Sequence, residues 1–356
     1  MRHPTKRRLY VLDGLRLVAA LMVVAYHYLG YNRSYPWGRD NQEIFPLPHR
    51  FAVYGWLGVY LFFLISGFMI CMSCWGRTPR QFAVSRFIRL YPAYWVALIA
   101  TSTMLWLSPD VSNPRLTDVL TNATMIQQGL GTPNIDGVYW SLWAELRFYL
   151  IFAVVAVMGA TYRRVVSFCV IWLVAALVAE HADNDLLTVL ADPVYAPFFI
   201  GGVAMYLLYR FGHRTGPWLL IAASWLDGLH QMSGLAAGAS NVAKTHVYWS
   251  ISVGVMTVFY VLVTAVALGR LKAFNWQWLT VAGSITYPLY LIHEDLGWEV
   301  IRYSHDLMPP YVLLVGLVAV MLLAAYLVNR LIEQPAARRL KQWLSPPRAA
   351  AVRPPA

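Results

Sequence analysis

Ten apolar runs of about 17 to 25 residues, the length that crosses a bilayer as a helix, constrain this chain more than any other feature. They centre near Ala19, Phe63, Ala97, Phe152, Trp172, Gly201, Ala223, Met256, Thr286 and Val318. In lipid the backbone must satisfy itself, so runs of this length fold as helices. Composition agrees: 59% of the 356 residues are hydrophobic and only 13% are charged, far from the quarter-charged surface of a soluble domain. The fold class expected is an all-α polytopic membrane protein, a bundle of about ten transmembrane helices. The seventh run, residues 217–232, is the weakest, because it contains Asp227 and His230; an interfacial or re-entrant path is its alternative.

Charge sets the orientation. Of the 28 Lys and Arg, 20 fall in the amino-terminal tail, in alternate loops and after Arg330, whereas the opposite loops hold only Arg33, Arg39, Arg50, Arg115, Lys244 and Arg302. The positive-inside rule then places both termini in the cytoplasm and the protein in the cell membrane. The basic residues thus report topology, and nucleic acid is not an expected partner. Arg2, Lys6, Arg7 and Arg8 precede the first run without a small-residue cleavage site, so that run reads as a retained helix and not a removed signal. Residues 1–340 form the expected membrane domain and 341–356 a cytoplasmic tail whose Pro/Ala-rich end reads as disordered. Residues 108–139 and 32–50 read as structured outer loops. Cys71, Cys74 and Cys169 read as apolar packing residues.

Several runs carry groups that are expensive in lipid. The first contains Asp13, Arg16 and His27; eleven residues of helix bring Arg16 and His27 to within roughly 20° of one face and roughly 16 Å apart. One helix therefore aims a cation and an imidazole into one cavity at two depths. In the second run Gly58, Ser66 and Gly67 stand among bulky residues and allow close approach by a helix or a ligand. Arg86 and Arg89 share a face at the start of the third run, where they fork onto phosphates or merely anchor the inner end. Glu145 requires neutralisation, a partner or an aqueous cavity, and Arg147, two residues on, does not face it. Tyr287, Tyr290 and His293 recur at a spacing of three. Glu333 is placed to answer the inner arginines, with Pro335 ending the helix.

In order, LDGLR(x10)H, GVYLFFLISGF, RFIRLYPAYW, WSLWAELRFYL, SITYPLYLIH and IEQP resemble the acyltransferase-3 family of integral-membrane O-acyltransferases, over almost the whole chain. The resemblance implies transfer of an acyl group, commonly acetyl from acetyl-CoA, to a hydroxyl of an extracytoplasmic carbohydrate or related acceptor. It implies catalytic roles for His27, Arg16 and Glu145, donor binding by Arg86, Arg89 and Ser66, and acceptor binding by Trp140, Tyr287, Tyr290 and His293, with no metal. His27 is the expected general base or transient acyl carrier, with Glu145 fixing its tautomer or orienting the acceptor. Leu17 replaces a frequent glycine, Leu146 and Arg147 replace an acidic-polar pair, and no hydrolase-like domain of the kind some relatives carry follows the last run. A proton-coupled transporter or flippase is the alternative that the ten spans and buried charges also suit.

Overall fold

In the computed structural model the described residues are 9–32, 34–108 and 113–344. Arg2, Lys6, Arg7, Arg8, Arg33 and the tail from Ser345 lie outside them. Among the described residues every regular element is helical. Ten long helices are labelled here: α1 Tyr10–Ala25, α2 Gly58–Cys74, α3 Pro79–Leu107, α4 Tyr139–Met158, α5 Tyr162–His181, α6 Ala196–Phe211, α7 Thr215–Ala243, α8 Trp249–Ala267, α9 Leu279–Ile292 and α10 Pro310–Val328. Each coincides with one of the apolar runs.

Eight of these segments are long and apolar enough to cross a membrane. The two remaining are α7, whose 29 residues are diluted by Asp227, His230 and Gln231, and α9, whose 14 residues rise only roughly 21 Å. Large apolar side chains such as Ile171, Val261 and Val315 face outward, a surface that suits lipid and not water.

The core is built on α2 and α6, which are apolar on nearly all sides and buried accordingly. Their axes meet through glycine. A Cβ on Gly67 would run into the Phe199 carbonyl, and one on Gly202 would run into the Leu64 carbonyl. These small residues of the second run thus serve helix packing. Gly58 does the same against the Ala19 carbonyl of α1, which leaves Ser66 to face inward.

α1 and α9 lie side by side and parallel: Asp13 touches Gly283 near their starts, and His27 meets His293 at their ends. α2 runs antiparallel to α1. The starts of α1, α3 and α9 therefore share one face of the bundle with the ends of α2, α6 and α10. The opposite face carries short helices from the two structured loops, including Pro46–Ala52 and Leu116–Asn122.

Two local expectations are corrected. α3 starts at Pro79, where Thr78 and Gln81 form a capping box, so Arg86 and Arg89 sit two turns in and not at a helix start. Pro335 does not end the last helix. A π-helical turn, Asn329–Glu333, follows α10 and runs directly into Gln334–Leu344, so the helix passes Pro335 through that wider turn. The first four residues of the segment read as a tail, 341–344, are accordingly helical.

Candidate active site

A cavity of about 1330 Å³ opens between α1, α2, α3, α4, α6 and α9, larger than the ~300–1,000 Å³ of ordinary small-molecule pockets. It follows one face of α2 from Val59 to Ser73, roughly 21 Å of helix axis. Arg77, Arg86, Arg89 and Arg210 line it toward one face of the bundle, with Arg16 among them and Glu145 as the one acidic lining group described. Its other end is lined by Phe62 and Leu142 together with Ser141 and Tyr290, whose hydroxyls lie 2.6 Å apart. A hollow of about 250 Å³ shares Arg16 and Arg89 with it and reaches Asp13.

The arginines are held in different ways. Arg89 pairs with Glu333 at 2.5 Å and lies over the Tyr287 ring, so the acid expected to answer the inner arginines does so. Arg86 lies over the Tyr149 ring, 5.9 Å from its centre. Ser66 Oγ donates to Glu145 Oε1 at 2.5 Å, and the Tyr149 hydroxyl donates to the same oxygen. Arg147 faces away, pairing with Asp192 at 2.9 Å.

His27 stands outside the lining, its partner His293 one helical turn past Tyr290. Residues Tyr26–Gly30 form a π-helical turn at the end of α1, and the last carbonyls of this turn have no intrahelical partner. Outside donors take them: Trp298 Nε1 reaches the His27 carbonyl at 3.1 Å, Trp37 Nε1 that of Tyr28 at 3.0 Å, and His49 Nδ1 that of Leu29 at 2.7 Å. The Tyr28 hydroxyl in turn donates to the His293 carbonyl at 2.6 Å. The backbone that carries the two histidines is thus held from several sides.

Proton positions follow from the partners. His293 Nδ1 lies 2.8 Å from the Tyr290 carbonyl and 3.2 Å from that of Leu289. A carbonyl only accepts, so Nδ1 of His293 carries the hydrogen and its Nε2 accepts. His27 Nδ1, 2.8 Å from that Nε2, is then the donor. In neutral His27 the lone pair is left on Nε2, which points toward Glu294 Oε1 at 3.6 Å. A nitrogen base beside a carboxylate is suited to accept a proton and hold the resulting imidazolium. Asp136, fully buried nearby, has its carboxyl held well above the usual carboxylate range by burial and by the Asp295 and Glu294 charges.

Residues 9–330 match the model of a family described as an acyltransferase domain. The chain belongs to the acyltransferase-3 family. It is an O-acyltransferase. Acyltransferase MdmB of Streptomyces mycarofaciens is 26% identical over 377 residues, 95% of this chain and 94% of that protein. The peptidoglycan O-acetyltransferase OatA of Listeria monocytogenes is 26% identical over 160 residues, which cover 39% of this chain and 23% of that protein. Nodulation protein 10 of Rhizobium leguminosarum bv. viciae is 27% identical over 232 residues, 56% of this chain and 60% of its own. No solved structure matches.

In this acyltransferase the expected residues separate into two groups. Arg16, Ser66, Arg86, Arg89, Glu145, Tyr287 and Tyr290 line the cavity. His27 and His293 form a pair just past it, one helical turn from Tyr290. Glu145 is engaged with Ser66 and Tyr149, so the tautomer of His27 is set by His293, with Glu294 alongside. Trp140 does not line the cavity; its ring packs on Tyr195 and Phe63, at 5.2 and 6.3 Å between centres. The motifs do not single out Glu294, Tyr28 or Trp298, which surround the His27–His293 pair. The Glu294 carboxylate beside His293 was the one available signal.

Proposed function

We propose that this protein takes an acyl group, acetyl by default, from cytoplasmic acyl-CoA and transfers it to a hydroxyl of an extracytoplasmic carbohydrate or glycosylated acceptor. The observation that carries this reading is a single cavity with arginines gathered at one end and a directed base, His27 Nε2, one helical turn beyond the other. The arginine end is the face where the positive-inside rule puts the cytoplasm. Ten spanning helices, with α7 and α9 included and both termini cytoplasmic, account for that alternation and for a site in the cell membrane. The acceptor class follows the peptidoglycan O-acetyltransferases among the relatives.

In this scheme Arg86, Arg89 and Arg16 hold the donor phosphates, which suit guanidinium forks. The pantetheine arm runs past Phe62 and Tyr287 toward Tyr290, and Ser66, fixed by Glu145, lies along its path. The acceptor hydroxyl gives its proton to His27 Nε2 as its oxygen attacks the thioester carbonyl. The tetrahedral intermediate collapses by breaking the C–S bond, and the thiolate takes the proton back from His27. The products are an ester and free CoA. Glu294 holds the imidazolium between the two transfers. In the stepwise variant His27 Nε2 itself attacks the thioester carbonyl and expels the CoA thiolate, and the acceptor oxygen then attacks the acyl carbon, breaking its bond to Nε2 and releasing neutral His27 while the hydroxyl proton goes to the thiolate.

Two variants test the halves of the scheme. Arg86→Ala is expected to raise KM for acyl-CoA roughly tenfold to a hundredfold, the effect of losing one charge-assisted contact, measured in membranes at matched expression. An unchanged KM would make Arg86 a topology anchor. Arg89→Ala is the less clean probe, since it also strips Glu333 of its partner. Glu294→Gln is expected to lower kcat about tenfold with donor KM unchanged, a modest part of the ~4 kcal/mol that opposite charges exchange at 4 Å near a protein surface. A wild-type kcat would remove Glu294 from the mechanism. Glycan mass spectrometry with and without the gene, read for an acyl mass shift, tests the acceptor class.

A further inference from the structure

The arginine end of the cavity also has an aromatic lobe to which the scheme above gives no role. α2 ends at Cys74, and the chain then turns through Trp75, Gly76 and Arg77, with the Arg77 amide bonded back to the Cys74 carbonyl at 3.1 Å. Gly76 has φ +73, and a Cβ there would meet nothing within 4 Å. The residue thus makes the turn and borders open space. From the end of α6 come Tyr206, Tyr209, Arg210 and Phe211, all on the cavity wall with Trp75. Trp75 sits 5.3 Å from Phe211 and 5.9 Å from Tyr206 between ring centres, and the Arg210 guanidinium lies 4.7 Å over the Trp75 ring.

Aromatic and basic residues at a membrane boundary ordinarily anchor a helix in the headgroup layer, where they face lipid. This group lines the cavity mouth instead, with Tyr206 buried, Trp75 and Phe211 half-buried, and Tyr209 and Arg210 exposed at the opening. Tyr206 is 2% exposed, and its hydroxyl accepts from Arg210 at 3.4 Å. The chemistry along the cavity is also ordered. Aromatic rings with Arg210 and Arg77 come first; Ser66 and Glu145, with Arg86 over the Tyr149 ring that bonds Glu145, come nine residues of α2 or roughly 13 Å deeper; the apolar Phe62, Phe63 and Leu142 come last. A ligand matching that order carries a flat π-system at one end, phosphates in the middle and a thin, weakly polar arm at the other.

We propose that the lobe formed by Trp75, Tyr209 and Arg210 is the subsite for the purine base of the donor, stacked on the Trp75–Arg210 platform at the mouth of the cavity. This rests on the reading of the donor as acyl-CoA. Stacking on a ring backed by a guanidinium is attractive to any base and needs no hydrogen-bond code. The lobe therefore supplies affinity and holds one end of a long donor, and the arginines deeper in the cavity fix its depth.

The experiment compares two donors in reconstituted protein, acyl-CoA and acyl-4′-phosphopantetheine, which has the arm and one phosphate but no nucleoside. Wild type should show a lower KM for acyl-CoA. Trp75→Ala should raise KM for acyl-CoA about tenfold, in the range found for losing one stacked base, and leave KM for the phosphopantetheine donor and both kcat values near wild type. Trp75→Phe should restore most of the preference. Tyr209→Ala, at a site partly open to solvent, should act in the same direction and provides a second reading if Trp75→Ala folds poorly. Equal KM values for the two donors in wild type, or an equal rise for both in Trp75→Ala, would overturn the subsite while leaving the acyl-CoA reading in place. No transfer from either donor by wild type would instead overturn the donor assignment, and the subsite with it.

Discussion

His27→Ala is expected to lower acyl transfer about 10²- to 10⁴-fold, the usual contribution of a positioned general base, with donor KM little changed because His27 lies outside the cavity lining. The same substitution also removes the donor to His293 Nε2, a buried acceptor. Leaving such a group unsatisfied costs roughly 1–3 kcal/mol, so part of any lost rate could reflect lost protein. His27→Gln separates the two effects. Its side-chain amide can donate to His293 while offering no nitrogen base, so it should restore expression and thermal stability and remain inactive. An active Gln variant would sink the base assignment. If the stepwise route operates, an acyl group labile to hydroxylamine should appear on the wild-type chain when donor is supplied without acceptor, and should be absent from both variants.

What the sequence makes legible here is depth, and what it hides is azimuth. Apolar runs locate all ten helices, and the distribution of Lys and Arg separates the two faces, because both depend on the transfer of single residues between water and lipid. The same logic puts Arg16 at one depth and His27 at another on one side of α1. Which helix α1 faces depends on packing between segments some 266 residues apart, as the His27–His293 bond shows. No local periodicity encodes that pairing. Glu145 illustrates what depth leaves open: by depth alone it is a candidate partner for His27, and α4 turns it toward Ser66 in the cavity. Trp140, five residues earlier on α4, is turned toward Tyr195 in the same way. The π-helical turn at Tyr26–Gly30 is hidden for a different reason. Its carbonyls are stabilised by Trp298, Trp37 and His49, none of which is local to it.

The site also depends on how closely α2 and α6 approach, and Gly202→Val is expected to abolish folded protein. The Cβ position on Gly202 falls 1.9 Å from the Leu64 carbonyl oxygen and 2.9 Å from the Phe68 amide nitrogen. Both obstacles are backbone, which cannot rotate aside as a side chain can. Overpacking a core commonly costs roughly 1–3 kcal/mol when neighbours can adjust; here relief requires the two most buried helices to separate, so the loss extends to every contact along α2, including the face that carries Ser66. Gly202→Ala should therefore already lower the unfolding temperature in detergent, with Val or Leu giving aggregate. Gly316 on α10 is the control, since a Cβ there meets nothing within 4 Å. Gly316→Ala should be neutral or slightly stabilising, by the gain in helix propensity. A Gly202→Val protein as stable as wild type would show that α2 and α6 do not meet as described, and the cavity between α2 and its neighbours would have to be redrawn.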